Sequence, residues 1–155
     1  MLFRSNPTLP TKKTKQIDLS NEGLESELIY EGQNQKFSTF VTFSKSKTEK
    51  GASQQRRPDL NYGANFSKKF INSAVGPFNM NLNYKFTGKH LDYDGGAAVA
   101  KSTKIVDVIF SKDLFGFIWN SSITNLLNEK YERPLTYTKD GRRLTINLRD
   151  RKSVV

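Results

Sequence analysis

Apolar and polar residues alternate with a period of two along most of the chain. The clearest run is 78–87, where Phe78, Met80, Leu82, Tyr84 and Phe86 fall on one side and Asn79, Asn81, Asn83, Lys85 and Thr87 on the other. A period of two is the pleat of a β-strand, because successive side chains leave opposite faces of an extended backbone. The same alternation predicts strands at 23–30, 36–47, 60–70 and 117–124. It also predicts a closing strand in which Leu144, Ile146 and Leu148 oppose Thr145, Asn147 and Arg149. A strand at 103–112 sets Val106, Val108 and Phe110 against Ile105, Asp107, Ile109 and Ser111, so both of its sides carry apolar residues. About seven strands result.

The connections between these strands alternate too. Short turns fall at 31–35, 72–77 and 113–116, the first containing Gly32 and the second Gly76-Pro77. Long polar stretches fall at 46–59, 88–102 and 132–140. Tight turns at one end and long loops at the other are the arrangement of transmembrane β-barrels. The expected fold is therefore all-β, with antiparallel up-and-down strands of a transmembrane β-barrel that is incomplete. An up-and-down barrel closes antiparallel only with an even number of strands. Phe78 to Phe86 would reach about 26 Å at roughly 3.3 Å per residue, covering about 20 Å of bilayer when tilted by about 40°.

In that arrangement Phe78, Met80, Leu82, Tyr84, Phe86, Leu144, Ile146 and Leu148 face lipid. Asn61, Asn65, Asn79, Asn81, Asn83, Lys85, Asp107, Thr145 and Asn147 face a wet lumen, where amides cost little. Against a soluble core the same amides would cost heavily unless paired. Tyr62, Tyr84, Phe86, Trp119 and Tyr131 are candidates for an aromatic girdle. Gly63 marks a bulge or a gap in the wall.

Composition sharpens this picture. Hydrophobic residues make up 35% of the 155 residues, low for a packed soluble core and natural for a wall with one wet face. The absence of Cys excludes a disulfide framework and a thiolate metal site. No apolar run is long enough for a transmembrane helix. The stretch 1–15 lacks the apolar core of a secretory signal, so an outer-membrane location would need residues ahead of Met1. The net charge is +10, from 25 Lys+Arg against 15 Asp+Glu. Lys45, Lys47, Lys50, Lys68, Lys69, Lys85, Lys89, Lys101, Lys104 and Lys112 are spread along the chain rather than gathered in a block. The expectation is therefore solvated strand ends and loops and no nucleic-acid partner, with lipopolysaccharide phosphates as a partner for charges near the outer rim.

Candidate chemistry is sparse, and no enzyme and no cofactor is expected. His90 is the only His and is expected to be solvated in a loop. Asp92-Tyr93-Asp94-Gly95-Gly96 has the look of a calcium loop but lacks its remaining spacing and terminal Glu, so a turn and no metal is expected. Arg56 and Arg57 are rim charges or contacts to an anionic substrate.

Several short segments then add a resemblance. Asn125-Leu126-Leu127-Asn128-Glu129-Lys130-Tyr131, followed by Gly141-Arg142-Arg143 and an alternating strand, resembles the C-terminal end of TonB-dependent outer-membrane receptors. That family typically carries Asn-Leu-Phe-Asp/Asn-x-x-Tyr there, and Leu127 stands in place of its Phe. Upstream, Gly23, Glu25 and Glu27 resemble a Gly-x-Glu-x-Glu strand start, Arg57-Pro58 an Arg-Pro before a descending strand, and Asp107 a mid-strand Asp of the family. The likeness runs over 21–149. It implies roughly the last third of a plugged barrel in the outer membrane. It also implies energy-coupled uptake of a scarce small-molecule nutrient or metal chelate, such as a siderophore or cobalamin, with lipid around the wall and TonB engaged only through a plug domain outside this chain. Residues 1–20 would be a loop or the stump of an earlier strand. Residues 150–155 break the pattern, since the family usually ends its last strand on an aromatic residue, and are expected to be a non-native or disordered tail. The alternative is a soluble β-sheet binding protein, lipocalin-like or a sandwich, with an anionic partner. The two differ in where the apolar face points: into a core, or outward.

Overall fold

The computed structural model describes residues 19–48, 56–92, 99–134 and 136–150. The proposed earlier-strand stump and the tail beyond Asp150 lie outside these residues, as do Asp94, Gly95 and Gly96 of the calcium-like segment. Among the described residues there is no helix. Nine strands follow in order: β1 (Leu19–Glu31), β2 (Gln35–Thr48), β3 (Leu60–Phe70), β4 (Phe78–Thr87), β5 (His90–Leu91), β6 (Val99–Ala100), β7 (Thr103–Leu114), β8 (Phe117–Thr124) and β9 (Arg143–Asp150). Seven of them form one sheet in the order β1-β2-β3-β4-β7-β8-β9, every neighbour antiparallel. β5 and β6 pair only with each other, as a small hairpin inside the connection from β4 to β7.

The all-β, antiparallel, seven-stranded expectation holds. β3, β4 and β8 have the bounds the alternation predicts. β1 and β2 are longer than predicted, and the turn between β7 and β8 shrinks to Phe115-Gly116. The stretch 88–102 is not featureless, since it holds the β5–β6 hairpin. β9 includes Asp150, which pairs with Phe117, so the strand runs one residue past the expected Arg149.

The register fixes which side chains share a face, because residues directly opposite in an antiparallel pair project the same way. Leu24 faces Phe43, which faces Leu60. Tyr62 faces Phe86, and Phe66 faces Leu82. Leu82 faces Val108, Val108 faces Ile123, and Ile123 faces Leu144. Apolar residues of all seven strands thus line one continuous face, and the asparagines of β3, β4, β8 and β9 lie on the other, together with Ile29, Phe40, Ile105, Ile109 and Ile118. A slip of one residue anywhere would send that strand's apolar set to the wrong side.

Successive hairpins are staggered in one sense. At the end bearing the long connections, β2 carries 44–48 past the first residue of β3, and β7 carries 103–107 past its last pair with β8. At the opposite end β3 and β7 overshoot to Phe70 and Leu114. Gly63 is neither a bulge nor a gap. The ladder runs through it unbroken, and the ring of its β2 partner Phe40 lies across it, so an added Cβ would come within 2.7 Å of Phe40 Cε1.

The turn between β7 and β8 has φ of 49° at Phe115 and 88° at Gly116. Positive φ at both central residues is the pattern of a type I′ hairpin turn, which suits the twist of the flanking strands and favours Asn-Gly. Phe115 meets that demand poorly and is fully exposed, so its ring gains nothing in packing. Phe115→Asn is expected to raise the urea midpoint, by about 0.5–1 kcal/mol of stability.

Candidate functional site

The apolar face has no second layer among the described residues. Among the described residues the only buried hydrophobic one is Ala100, in the small hairpin, and no large side chain is fully buried. Leu24, Leu28, Phe43, Leu144, Ile146 and Leu148 are between 49% and 64% exposed. Soluble monomers rarely leave so broad an apolar surface open.

Chemistry along this face is graded. Towards the short turns it carries Tyr30, Phe37, Phe70, Phe78, Phe110 and Trp119. Towards the long connections β2, β3 and β4 carry Phe43, Tyr62 and Phe86. The rings touch across strands: Phe70 stacks on Phe78 at 4.6 Å between centroids, and Tyr62 on Phe86 at 4.5 Å. Between the rows lie Val41, Ala64, Met80, Leu82, Val106 and Val108, with Phe66 among them. Lysines occur on this face at the ends of strands. Lys68 holds its ammonium 5.1 Å from the Phe70 ring centroid, and Lys104 pairs with Phe86. Of the predicted girdle, Tyr62, Tyr84, Phe86 and Trp119 lie on the apolar face. Tyr131 does not, because it sits in the β8–β9 connection, where its carbonyl accepts the Lys139 N–H at 3.0 Å. Sequence reading missed Tyr30, Phe37, Phe43, Phe70 and Phe110 as members of the rows. The signal was present for Tyr30, Phe37 and Phe70, which lie at or within two residues of a strand end, whereas Phe43 and Phe110 lie further in and join the rows only through the register.

The polar face holds Asn61, Asn65, Asn79, Asn81, Asn83, Lys85, Asp107, Thr145 and Asn147 together, and the amides of Asn65, Asn81 and Asn83 are hydrogen-bonded to one another. Asn65 Nδ2 donates to Asn81 Oδ1 at 3.2 Å and to Asn83 Oδ1, while Asn81 Nδ2 donates to Ser67 Oγ at 2.7 Å. Ser67 Oγ donates in turn to Asn65 Oδ1 at 3.2 Å. Asp107 has a further task, as Oδ1 accepts the backbone N–H of Asn125 at 2.8 Å. The Asn125 side chain then brackets Glu129: Nδ2 donates to the Glu129 carbonyl at 2.9 Å and Oδ1 accepts the Glu129 N–H at 2.8 Å. Asn128 Oδ1 accepts the Arg142 N–H at 2.9 Å. The Asn-Leu-Leu-Asn segment is a knot that fixes the exit of β8 and the approach to β9.

Buried polar groups gather where the long connections meet the polar face. Thr87, His90 and Asp92 are buried, and no buried side-chain polar atom among the described residues lacks a hydrogen-bond partner. Arg56 ties the β2–β3 connection to the β5–β6 hairpin, through its N–H to the Leu91 carbonyl at 2.6 Å and its Nε to Asp92 Oδ1 at 2.8 Å. Arg57 Nη1 donates to Ser46 Oγ at 3.2 Å. His90 is not solvated as expected. It is buried in β5, with Nδ1 3.2 Å from the Gly88 carbonyl, so Nδ1 carries the hydrogen. Asp92 is walled in as an ion-pair partner. Among the described residues no group of three or more His, Cys, Asp or Glu is placed to hold a metal ion.

These groups border a cup of about 500 Å³ lined by Phe40, Arg56, Pro58, Asn61, Lys85, Thr87, His90, Asp92, Arg133 and Pro134. It draws on β2, β3, β4, β5 and three connections, so no local motif announces it.

Comparison with protein-family models, with curated proteins and with solved structures returns no match to this chain.

Proposed function

We propose that this chain forms part of the wall of an outer-membrane β-barrel, of the kind found in TonB-dependent receptors, and serves uptake of a scarce small-molecule nutrient or metal chelate. One observation carries the reading: the register lines up apolar residues from all seven strands on one uncovered face. In water such a face is unfavourable at about 25 cal/mol per Å². In a bilayer it is the lipid-facing wall, and aromatic rows at its ends are what the two headgroup regions select. The one-directional stagger supports closure, since tilted barrel strands need a fixed shear. Lipid tolerates no open sheet edge. β1 and β9, each paired on one side only among the described residues, would therefore meet further strands of the same wall.

In this arrangement the asparagine face lines a wet lumen, the long connections face outward, and Lys45 and Lys104 reach anionic headgroups such as lipopolysaccharide phosphates. Coupling to TonB would run through a plug that this sheet does not supply.

Trp119, the only tryptophan, lies on the apolar face and reports on its surroundings. Refolded into vesicles within a closed wall that pairs β1 and β9, and with Trp119 the only tryptophan present, the chain is expected to show a blue-shifted emission quenched by brominated acyl chains. Emission quenched by aqueous iodide alone, from a chain that stays monodisperse in buffer without detergent, would sink the proposal and favour a soluble sheet.

A further inference from the structure

We infer that the cup at the long-connection end binds a small organic anion, a carboxylate carried on an apolar body, through Lys85 and Arg133. The inference names a ligand class for the mouth of the proposed receptor wall and rests on that reading for its biological meaning. The charge balance of the cup carries it. Among the described residues its lining holds three cations, Arg56, Lys85 and Arg133, against a single acid, Asp92. Asp92 is already engaged by Arg56 at 2.8 Å, with its side chain only 2% exposed. Neither Lys85 nor Arg133 has an acidic partner among the described residues. Two uncompensated cations converging on one concavity attract an anion, and an ionised acceptor makes the stronger kind of hydrogen bond with them.

The rest of the lining selects the body of the ligand. Phe40 rises from the asparagine-bearing face opposite Gly63, where the missing side chain leaves room for its ring. With Pro58 and Pro134 it offers an apolar floor beside the two cations. A few convergent polar groups over an apolar lining is the ordinary composition of a small-molecule site. The wall is also held in place, because Thr87, His90 and Asp92 are buried and the Arg56 contacts to Leu91 and Asp92 join two connections across it. Arg57, the neighbouring basic residue, is spent on Ser46 and does not line the cup.

The test uses the full chain refolded in a zwitterionic detergent and titrated calorimetrically with benzoate, with benzyl alcohol as the uncharged comparison and empty micelles as the blank. Benzoate is expected to bind, weakening as salt rises, and benzyl alcohol to give no heat above the blank. K85M and R133M should each weaken benzoate by about tenfold or more. K85R, which keeps the charge, and R57M, outside the cup, should retain binding. Equal benzoate affinity in the wild type and the K85M/R133M double variant would overturn the inference, and so would equal affinity for benzyl alcohol. Trp119 quenching in lipid vesicles, measured beside the titration, separates the two proposals. A chain that inserts into lipid yet ignores benzoate overturns the cup alone. One that binds benzoate but stays out of lipid overturns the membrane reading.

Discussion

Leu82→Arg is expected to abolish insertion into lipid vesicles, whereas arginine at Asn83, one residue along the same strand, leaves insertion intact. Leu82 sits midway along β4 on the apolar face, between Phe66 of β3 and Val108 of β7. An arginine at the bilayer midplane of a barrel wall costs about 2–4 kcal/mol. Asn83 lies on the opposite face, paired with Asn65 and Asp107, where a cation meets water and a carboxylate. Parity alone does not separate lipid from a packed core, because a core also rejects arginine. Depth does. Met80→Arg should cost less than Leu82→Arg, and Phe78→Arg at the turn-end aromatic row only about 0–1 kcal/mol, because that row sits at the interface. A buried core would penalise the three positions according to packing, with no such gradient. Insertion yield by protease protection across this series is the measurement, and a flat series would remove the membrane from the account.

The parts of this fold written in period two are legible in the sequence itself. β3 and β4 alternate cleanly, so their bounds follow from the sequence, and β8 is bounded by Gly116 before it and Asn125 after it. β1 and β2 outrun their apolar runs because pairs such as Glu22–Lys45 and Ser20–Lys47 continue the ladder without a hydrophobic signal. The β5–β6 hairpin has two residues in each strand, too few to show any period. Register was half legible: the alternation said which residues share a face within a strand, and pairing then joined those faces across seven strands. The cup was illegible because Arg56 and Asp92 lie 36 residues apart and Arg133 comes from a third connection. Arg56-Arg57 read as one basic pair, but the backbone turns the first onto Asp92 and the second onto Ser46. The Asn125 segment was recognisable by resemblance only. Its physical role emerged when the side-chain amide was seen bracketing the Glu129 backbone.

That role makes Asn125→Ala the second large effect expected, a loss of about 2–4 kcal/mol read as a fall in the urea midpoint of the refolded chain. Two causes add. The substitution removes both side-chain hydrogen bonds to Glu129, in a residue only 5% exposed, so water does not readily replace them. It also places alanine at a φ of 52°, a left-handed conformation that asparagine tolerates and alanine resists by about 1 kcal/mol. Asn125→Gly separates the causes, because glycine relieves the backbone term and still lacks the amide. It should therefore recover part of the loss and no more. Asp107→Asn should be nearly neutral, since the amide oxygen can still accept the Asn125 N–H, while Asp107→Ala leaves that donor without its partner. Leu127→Phe, the residue usual in the resembled family, changes a side chain that is 59% exposed and should shift the midpoint little. If alanine and glycine at 125 behaved alike, the backbone conformation would carry no share of the effect. If both were neutral, the connection to β9 would be held by something other than this knot.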